Sequence, residues 1–253
     1  MTAIAITIAT HKGGTGKTVT AMALGAGLAR SGKSCLIIDL DPQGHSTLGL
    51  GVAIEDGAFT VREFFAEPSI PLPRILRETH IPGLYVAPSN IRLARFEPSL
   101  YMRPKREELL RRGLRAIRDQ FDVIIMDCPP SLGVLTEGAI TAADLIIIPC
   151  QMEARASDGL VDLLELVSIM KGETFEQWRI LITRVDSRKS TTNQAVMASL
   201  ARWQQKIFHT RIPQSEPLNQ AQIARTDIFS FEPHSKGALA YEAFVKEVLR
   251  YVG

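Results

Sequence analysis

The sequence predicts an α/β protein, a single domain built on a mostly parallel twisted sheet of about seven or eight strands with helices on both faces. Three observations carry that expectation. Short apolar, β-branched runs (Ile4 to Thr10, Ser34 to Leu40, Asp122 to Met126, Asp144 to Pro149, Arg179 to Thr183) recur with helical stretches between them, as strands buried on both faces do. A glycine-rich turn, Lys12 to Thr18, joins the first run to the first helical stretch. No composition break, repeat or low-complexity linker divides the 253 residues, so residues 1–253 read as one domain.

Taken in order, Val19 to Ser31 has helical composition, and Gly32 stands at the expected stop. Its small residues Ala21, Ala23, Gly25, Ala26 and Gly27 suit close packing on a sheet. The strand–helix–strand unit up to Leu40 requires a right-handed parallel crossover. Gly51 to Pro104 is the least regular part: a short helix over Thr60 to Ala66, prolines at 68, 71, 73 and 82, then a strand at Leu84 to Ala87. Arg103 to Phe121 is expected to be a basic amphipathic helix with Leu109, Leu110, Leu114 and Ile117 on its apolar face. Helices are expected over Ser157 to Met170 and Thr192 to Gln205, and a strand over Ile207 to Ile212. A last helix opens at Ser235, with Tyr241, Phe244, Val245, Val248 and Val252 facing a core.

Hydrophobic content of 45% with 22% charged residues is that of a globular protein, and no apolar run reaches the roughly 20 residues of a membrane span. Ile4 to Ile8 leads straight into the glycine-rich turn, which excludes a signal peptide there. Cys35, Cys128 and Cys150 lie in apolar contexts without metal-type spacing, pointing to buried thiols in a reducing cytoplasm. The net charge of +2 is unevenly spread. From Arg179 to Arg225 eight Lys/Arg face two acids, so that segment carries +6 and the remainder −4. A second basic run includes Lys105, Arg106, Arg111, Arg112 and Arg115. Either run suits a polyanion partner or a solvated face.

The chemistry is concentrated at strand ends. Lys12-Gly13-Gly14-Thr15-Gly16-Lys17-Thr18 reads as a phosphate-binding loop. Its glycines let backbone N–H groups converge on an anion at a helix N-terminus, Lys17 can reach outer phosphates, and the Thr18 hydroxyl can ligate Mg²⁺. His11 to Thr18 fits G-x-x-x-x-G-K-[ST] except at its first glycine, where His11 stands, and Lys12 adds a second lysine. The alternative, a turn with two solvated lysines, fits poorly with a strand before and a helix after. Asp39 and Asp41 sit at i and i+2 of a strand end, and Asp127 caps Val123 to Met126, as carboxylates serving a Mg²⁺ or an attacking water would. Each could instead merely cap a turn. Pro129-Pro130-Ser131-Leu132-Gly133 is placed where a γ-phosphate-sensing switch belongs, or is a rigid proline turn.

The extra lysine before paired glycines resembles the deviant Walker A loop of the ParA/MinD group of P-loop ATPases. KGGTGKT, DLDPQGHSTLGLG, VIIMDCPPSLG, ADLIIIPCQMEARASDGL, ILITRVDSR and IFSFEPHSKGALAYEAF all look like successive segments of that group, in its order. The chain is most like the small partition ATPases. The resemblance implies ATP and Mg²⁺ as ligands and an ATP-sandwich homodimer in which Lys12 reaches the nucleotide held by the partner chain. It implies nonspecific DNA binding, slow hydrolysis stimulated by an adaptor or centromere-binding protein, and a cytoplasmic protein that is nucleoid-associated when ATP-bound. By the same match Asp41 positions the attacking water, Asp39 and Asp127 support the ion, and Arg184, Ile212 and Pro213 surround the adenine. The cargo (plasmid, chromosome or a protein assembly) stays open.

Three positions depart from the pattern. Val19 replaces a threonine, which loses a hydroxyl contact to an inner phosphate but keeps the backbone N–H. Gln214 and Pro217 stand where DNA-coating relatives have arginines, which leaves Arg188, Lys189, Arg202, Lys206 and Arg211 as candidate phosphate contacts. A MinD-like membrane ATPase would need a basic amphipathic helix after the core, whereas the final helix here has a core-like stripe. An iron–sulfur carrier would need interface cysteine pairs, a ligase a second-substrate pocket, and a kinase a tyrosine-rich tail.

Overall fold

In a computed structural model that describes residues 2–67, 69–153 and 156–252, one sheet runs through the whole protein. Pro68 and the pair Ala154-Arg155, which fall within stretches read above, lie outside the described residues. Eight strands take part: β1 (Ile4–Ile8), β2 (Cys35–Asp39), β3 (Arg77–Glu78), β4 (Leu84–Ala87), β5 (Val123–Asp127), β6 (Leu145–Gln151), β7 (Trp178–Val185) and β8 (Ile207–Pro213). Their order is β3-β4-β2-β5-β1-β6-β7-β8, parallel throughout except for the short β3. Helices α1 (Lys17–Arg30), α2 (His45–Gly49), α3 (Val61–Ala66), α4 (Arg92–Leu100), α5 (Leu109–Arg115), α6 (Val134–Ala142), α7 (Ala156–Lys171), α8 (Ser190–Ser199), α9 (Glu216–Ile223), α10 (Ile228–Phe231) and α11 (Lys236–Val252) cover both faces.

Strand alternation divides the core into two layers. Along β1, Ala5 joins the apolar cluster under α5, α6 and α7, while Ile6 and Ile8 join the one under α1 and α11. The first face carries smaller side chains near α6, and there the Thr7 hydroxyl donates to the Ala139 carbonyl at 2.8 Å. On the other face α1 must lie close: a Cβ on Gly25 would fall 2.8 Å from Ile37 Cδ1, and one on Gly27 2.5 Å from Val245 Cγ2. Those distances explain the run of small residues in α1. Tyr241, Phe244, Val245 and Val248 of α11 are buried, as the stripe predicts.

Four expectations need correction. The helix expected over Arg103 to Phe121 is broken: Lys105 takes a left-handed conformation (φ 54°), a 3₁₀ turn covers Arg106–Glu108, and α5 ends at Arg115. The helix expected over Thr192 to Gln205 ends at Ser199, and a 3₁₀ stretch over Ala201–Lys206 contains Trp203 with non-helical dihedrals. The stretch read as irregular holds α4, in which Pro98 lies two residues from the end, so its missing N–H and ring strain fall in the last turn. Thr60 caps α3 rather than starting it: its hydroxyl accepts from Arg62 N at 3.2 Å while Glu63 Oε2 accepts from Thr60 N at 2.8 Å, a reciprocal capping box.

Candidate active site

The carboxyl ends of β1, β2, β5 and β7 converge on one cavity of about 440 Å³. The loop from β1 to α1 turns through Gly14 (φ 74°) and Gly16 (φ 91°), conformations that L side chains resist. The end of β7 fastens it from the other side. Thr183 Oγ1 donates to Thr15 O at 2.8 Å, and Arg184 Nη1 donates to Gly14 O at 2.9 Å. Lys17 is buried and its Nζ donates to Lys12 O at 3.0 Å, so the loop curls around its own ammonium. Burial pushes the Lys17 pKa below the usual lysine range, against the opposing pull of the Asp127 and Asp41 carboxylates.

The acids are arranged in register: Asp39 of β2 lies opposite Asp127 of β5, which lies opposite Ile8 of β1. Both are fully buried. Asp39 is saturated, since its Oδ1 accepts from Asp41 N (3.1 Å) and its Oδ2 accepts from Thr47 N (2.9 Å) and Thr47 Oγ1 (2.7 Å). Asp127 is not. Its Oδ2 accepts from Ser46 Oγ at 2.7 Å, but its buried Oδ1 has no hydrogen-bond partner among the described residues. Burial pushes Asp127 up to about 6, while Ser46, the neighbouring Thr18 hydroxyl and Lys17 pull it back. Burial, then the facing Asp127 charge, pushes Asp39 up to about 8.

A buried carboxylate oxygen left unsatisfied beside Thr18 and Lys17 is what a hydrated Mg²⁺ on a phosphate chain would satisfy. Among the described residues no group of three His, Cys, Asp or Glu could hold a metal ion by itself. The fit is therefore to an ion carried largely by substrate phosphates. Thr18 and Asp127 face that position, whereas the Asp39 oxygens are already occupied and hold the turn carrying Asp41. Asp41 lines the cavity, and its Oδ1 accepts from Gln43 N at 2.9 Å.

Most residues singled out in the sequence meet here. Gly13, Gly14, Gly16, Lys17, Thr18, Val19, Asp41, Pro130, Arg184, Ile212 and Pro213 line the one cavity. Thr15 is buried beneath it. Lys12 lies at the outer side of the loop, its Cγ 3.5 Å from where a Cβ on Gly159 of α7 would be. Other wall residues were not singled out: Gln43, Asn219, Gln222 and Tyr241. Tyr241 sits in the stripe read as core and also shares a 3.0 Å hydrogen bond with Thr20. Ser46 and Thr47, the hydroxyls that serve the two acids, lie within the DLDPQGHSTLGLG stretch, five and six residues after Asp41.

The candidate DNA contacts do not form one patch. Arg188 and Lys189 follow the carboxyl end of β7, whereas Arg202 and Lys206 precede the amino end of β8, and Arg211 lies along β8, the last strand of the sheet. Arg188 is paired in fork fashion with Asp186 (2.9 and 2.8 Å), Lys206 is paired with Glu176, and Arg202 stacks over the Trp203 ring at 3.8 Å.

A family model described as "AAA domain" matches residues 3–180. The sporulation initiation inhibitor protein Soj of Bacillus subtilis is 37% identical over 246 residues, 96% of this chain and 97% of its own. The cobyrinic acid a,c-diamide synthase structure from Mycobacterium smegmatis, with bound ATP analogue and magnesium, superposes with a TM-score of 0.83 at 34% identity, covering 98% of this chain and 95% of that one. The Cyanothece McdA–ATP complex gives 0.85 at 27% identity, covering 98% and 96%.

Proposed function

This chain belongs to the ParA/MinD family of P-loop ATPases, and from that premise we propose that it is an ATP-driven dimerising switch that positions a cargo. In this reading it binds DNA nonspecifically in its ATP state and is reset when an adaptor stimulates hydrolysis. The observation that carries the reading is the pairing of a two-lysine phosphate loop with the unsatisfied Asp127 Oδ1 at its floor. The loop amides Gly13 to Thr18 bind the phosphates, Lys17 neutralises the outer ones, and Arg184, Ile212 and Pro213 wall the base. Thr18 and Asp127 would hold Mg²⁺, which supplies charge neutralisation on the transferred phosphoryl group. Asp41 orients the attacking water, with Asp39 fixing its backbone. Lys12 crosses to the nucleotide of a second copy, and Pro129 to Gly133, whose Pro130 Cβ lies 4.0 Å from where a Cβ on Gly13 would be, reports the γ-phosphate.

The test is ATP-dependent DNA retention. With ATP·Mg²⁺ the protein is expected to bind a random duplex in a salt-sensitive way, and with ADP not to. Arg202→Ala lowers that affinity and reduces the slope of log K against log salt by about 0.9. Lys206→Ala does less, because Glu176 already neutralises it. A salt-titrated shift assay in which Arg202→Ala matches wild type retires that contact. A ligase reading, suggested by the name of the M. smegmatis relative, predicts instead nucleotide turnover that requires a carboxylate substrate and nitrogen donor. ATP hydrolysis without either, coupled to DNA release, decides against it.

A further inference from the structure

The second basic run has no part in the site above, yet the fold gathers it. Arg111, Arg115 and Arg118 are spaced i, i+4 and i+7, so α5 and the turn after it present them on one side. Together with Lys171, Thr141 and Asp144 they line a recess of about 300 Å³ at the amino end of β6. The phosphate loop lies at the other end of the sheet, a strand length of about 15 Å away.

The charges in this recess are unbalanced. Four cations stand against two carboxylates, Glu108 (2.6 Å from Arg111) and Asp144 (2.6 Å from Arg118). Asp144 is further committed, since its Oδ2 also accepts from Ala5 N at 2.8 Å. Arg115 has no ion pair among the described residues and is exposed. Lys171 ends α7 half-buried and donates to Ala143 O (2.7 Å) and Thr141 O (3.3 Å). It thereby neutralises the carbonyl end of α6, which would otherwise repel an anion. Burial lowers its pKa, Asp144 opposes that, and the nearby Arg111 and Arg118 lower it further. Like charges held this close to one another are relieved by an anion between them.

We propose that this recess binds a small ligand carrying a di- or triphosphate. Its volume is at the low end for small-molecule sites, about 300–1,000 Å³. Its cations come from two helices and surround a concavity, a shape suited to a compact polyanion rather than to the extended track of a duplex backbone. Arginine forks match adjacent phosphate oxygens geometrically.

The experiment titrates inorganic pyrophosphate into full-length protein whose phosphate loop is filled with one equivalent of a non-hydrolysable ATP analogue and Mg²⁺, with sulfate at equal ionic strength as the control. One additional saturable site is expected, weakened about tenfold in Arg115→Ala and in Arg111→Ala. Arg112→Ala, one residue off the stripe and exposed, should bind as wild type. Both sensitive positions are exposed, so far-ultraviolet circular dichroism should show the variants folded. Absence of a saturable site, equal weakening by Arg112→Ala, or sulfate binding as tightly as pyrophosphate would overturn the proposal. So would loss of duplex-DNA affinity in Arg115→Ala without any pyrophosphate binding, which would assign the arginines to a DNA backbone.

Discussion

Asp41→Ala is expected to bind ATP·Mg²⁺ within a few-fold of wild type and to hydrolyse it at least about a hundredfold more slowly, the usual contribution of a positioned base or water-orienting group. The geometry separates its role from that of its neighbours. Asp41 reaches the cavity that the phosphate loop lines, while its own amide is fixed by Asp39 and its Oδ1 fixes Gln43 N. On the role proposed for Asp41, loss of the side chain removes the water-directing oxygen without touching the loop, so the ATP-bound form is expected to persist. Single-turnover hydrolysis, read beside nucleotide affinity, checks this. A variant that turns over at the wild-type rate would transfer the task to another group, and one that cannot bind ATP would make Asp41 a binding residue.

Asp127→Asn acts in two opposite directions. In the ligand-free protein it should stabilise the fold at pH 8 by on the order of 2 kcal/mol, because it removes one of two facing buried carboxylates. The sign follows from linkage. Both acids have folded-state values raised above the ordinary aspartate range, Asp39 to about 8 and Asp127 to about 6. Between about pH 4 and 8 the folded protein therefore holds more protons than the unfolded chain, and wild-type stability falls as pH rises through that window. The asparagine variant should show a flatter profile, since its Oδ1 can still accept from Ser46 and its amide can donate to the Thr18 hydroxyl. It should also lose Mg²⁺-dependent nucleotide turnover by at least about a hundredfold. Urea unfolding at pH 5 and pH 8 measures the first effect. Equal destabilisation at both values would show that Asp127 is an ordinary structural acid.

How far the sequence reveals this protein varies by element. The strands were legible because burial on both faces demands uninterrupted β-branched runs, as Val123 to Met126 and Leu145 to Ile148 are. The phosphate loop was legible because its glycines and lysines have fixed spacing. The two-part helix around Arg106 was not, because the left-handed Lys105 leaves no compositional mark. The helix expected to run on to Gln205 stops at Ser199 in the same way, with no glycine or proline to mark the stop. Within the site, the three acids could be named and Asp41 set apart, but the difference between Asp39 and Asp127 could not be read. It depends on Thr47 and Ser46 reaching Asp39 and Asp127 from α2, a helix of five residues too short to show periodicity. The basic run from Arg179 to Arg225, contiguous in sequence, is divided between two ends of the sheet.

The central claim is that two copies of the chain close over two nucleotides, each contributing Lys12 to the other. Light scattering of the Asp41→Ala variant with ATP·Mg²⁺, beside a Lys12→Ala/Asp41→Ala double variant, addresses it most directly. The account predicts a particle of twice the monomer mass with ATP, a monomer with ADP, and a weakened dimer that still binds nucleotide when Lys12 is absent. A monomer at saturating ATP, with nucleotide bound and Lys12 without effect, would contradict it.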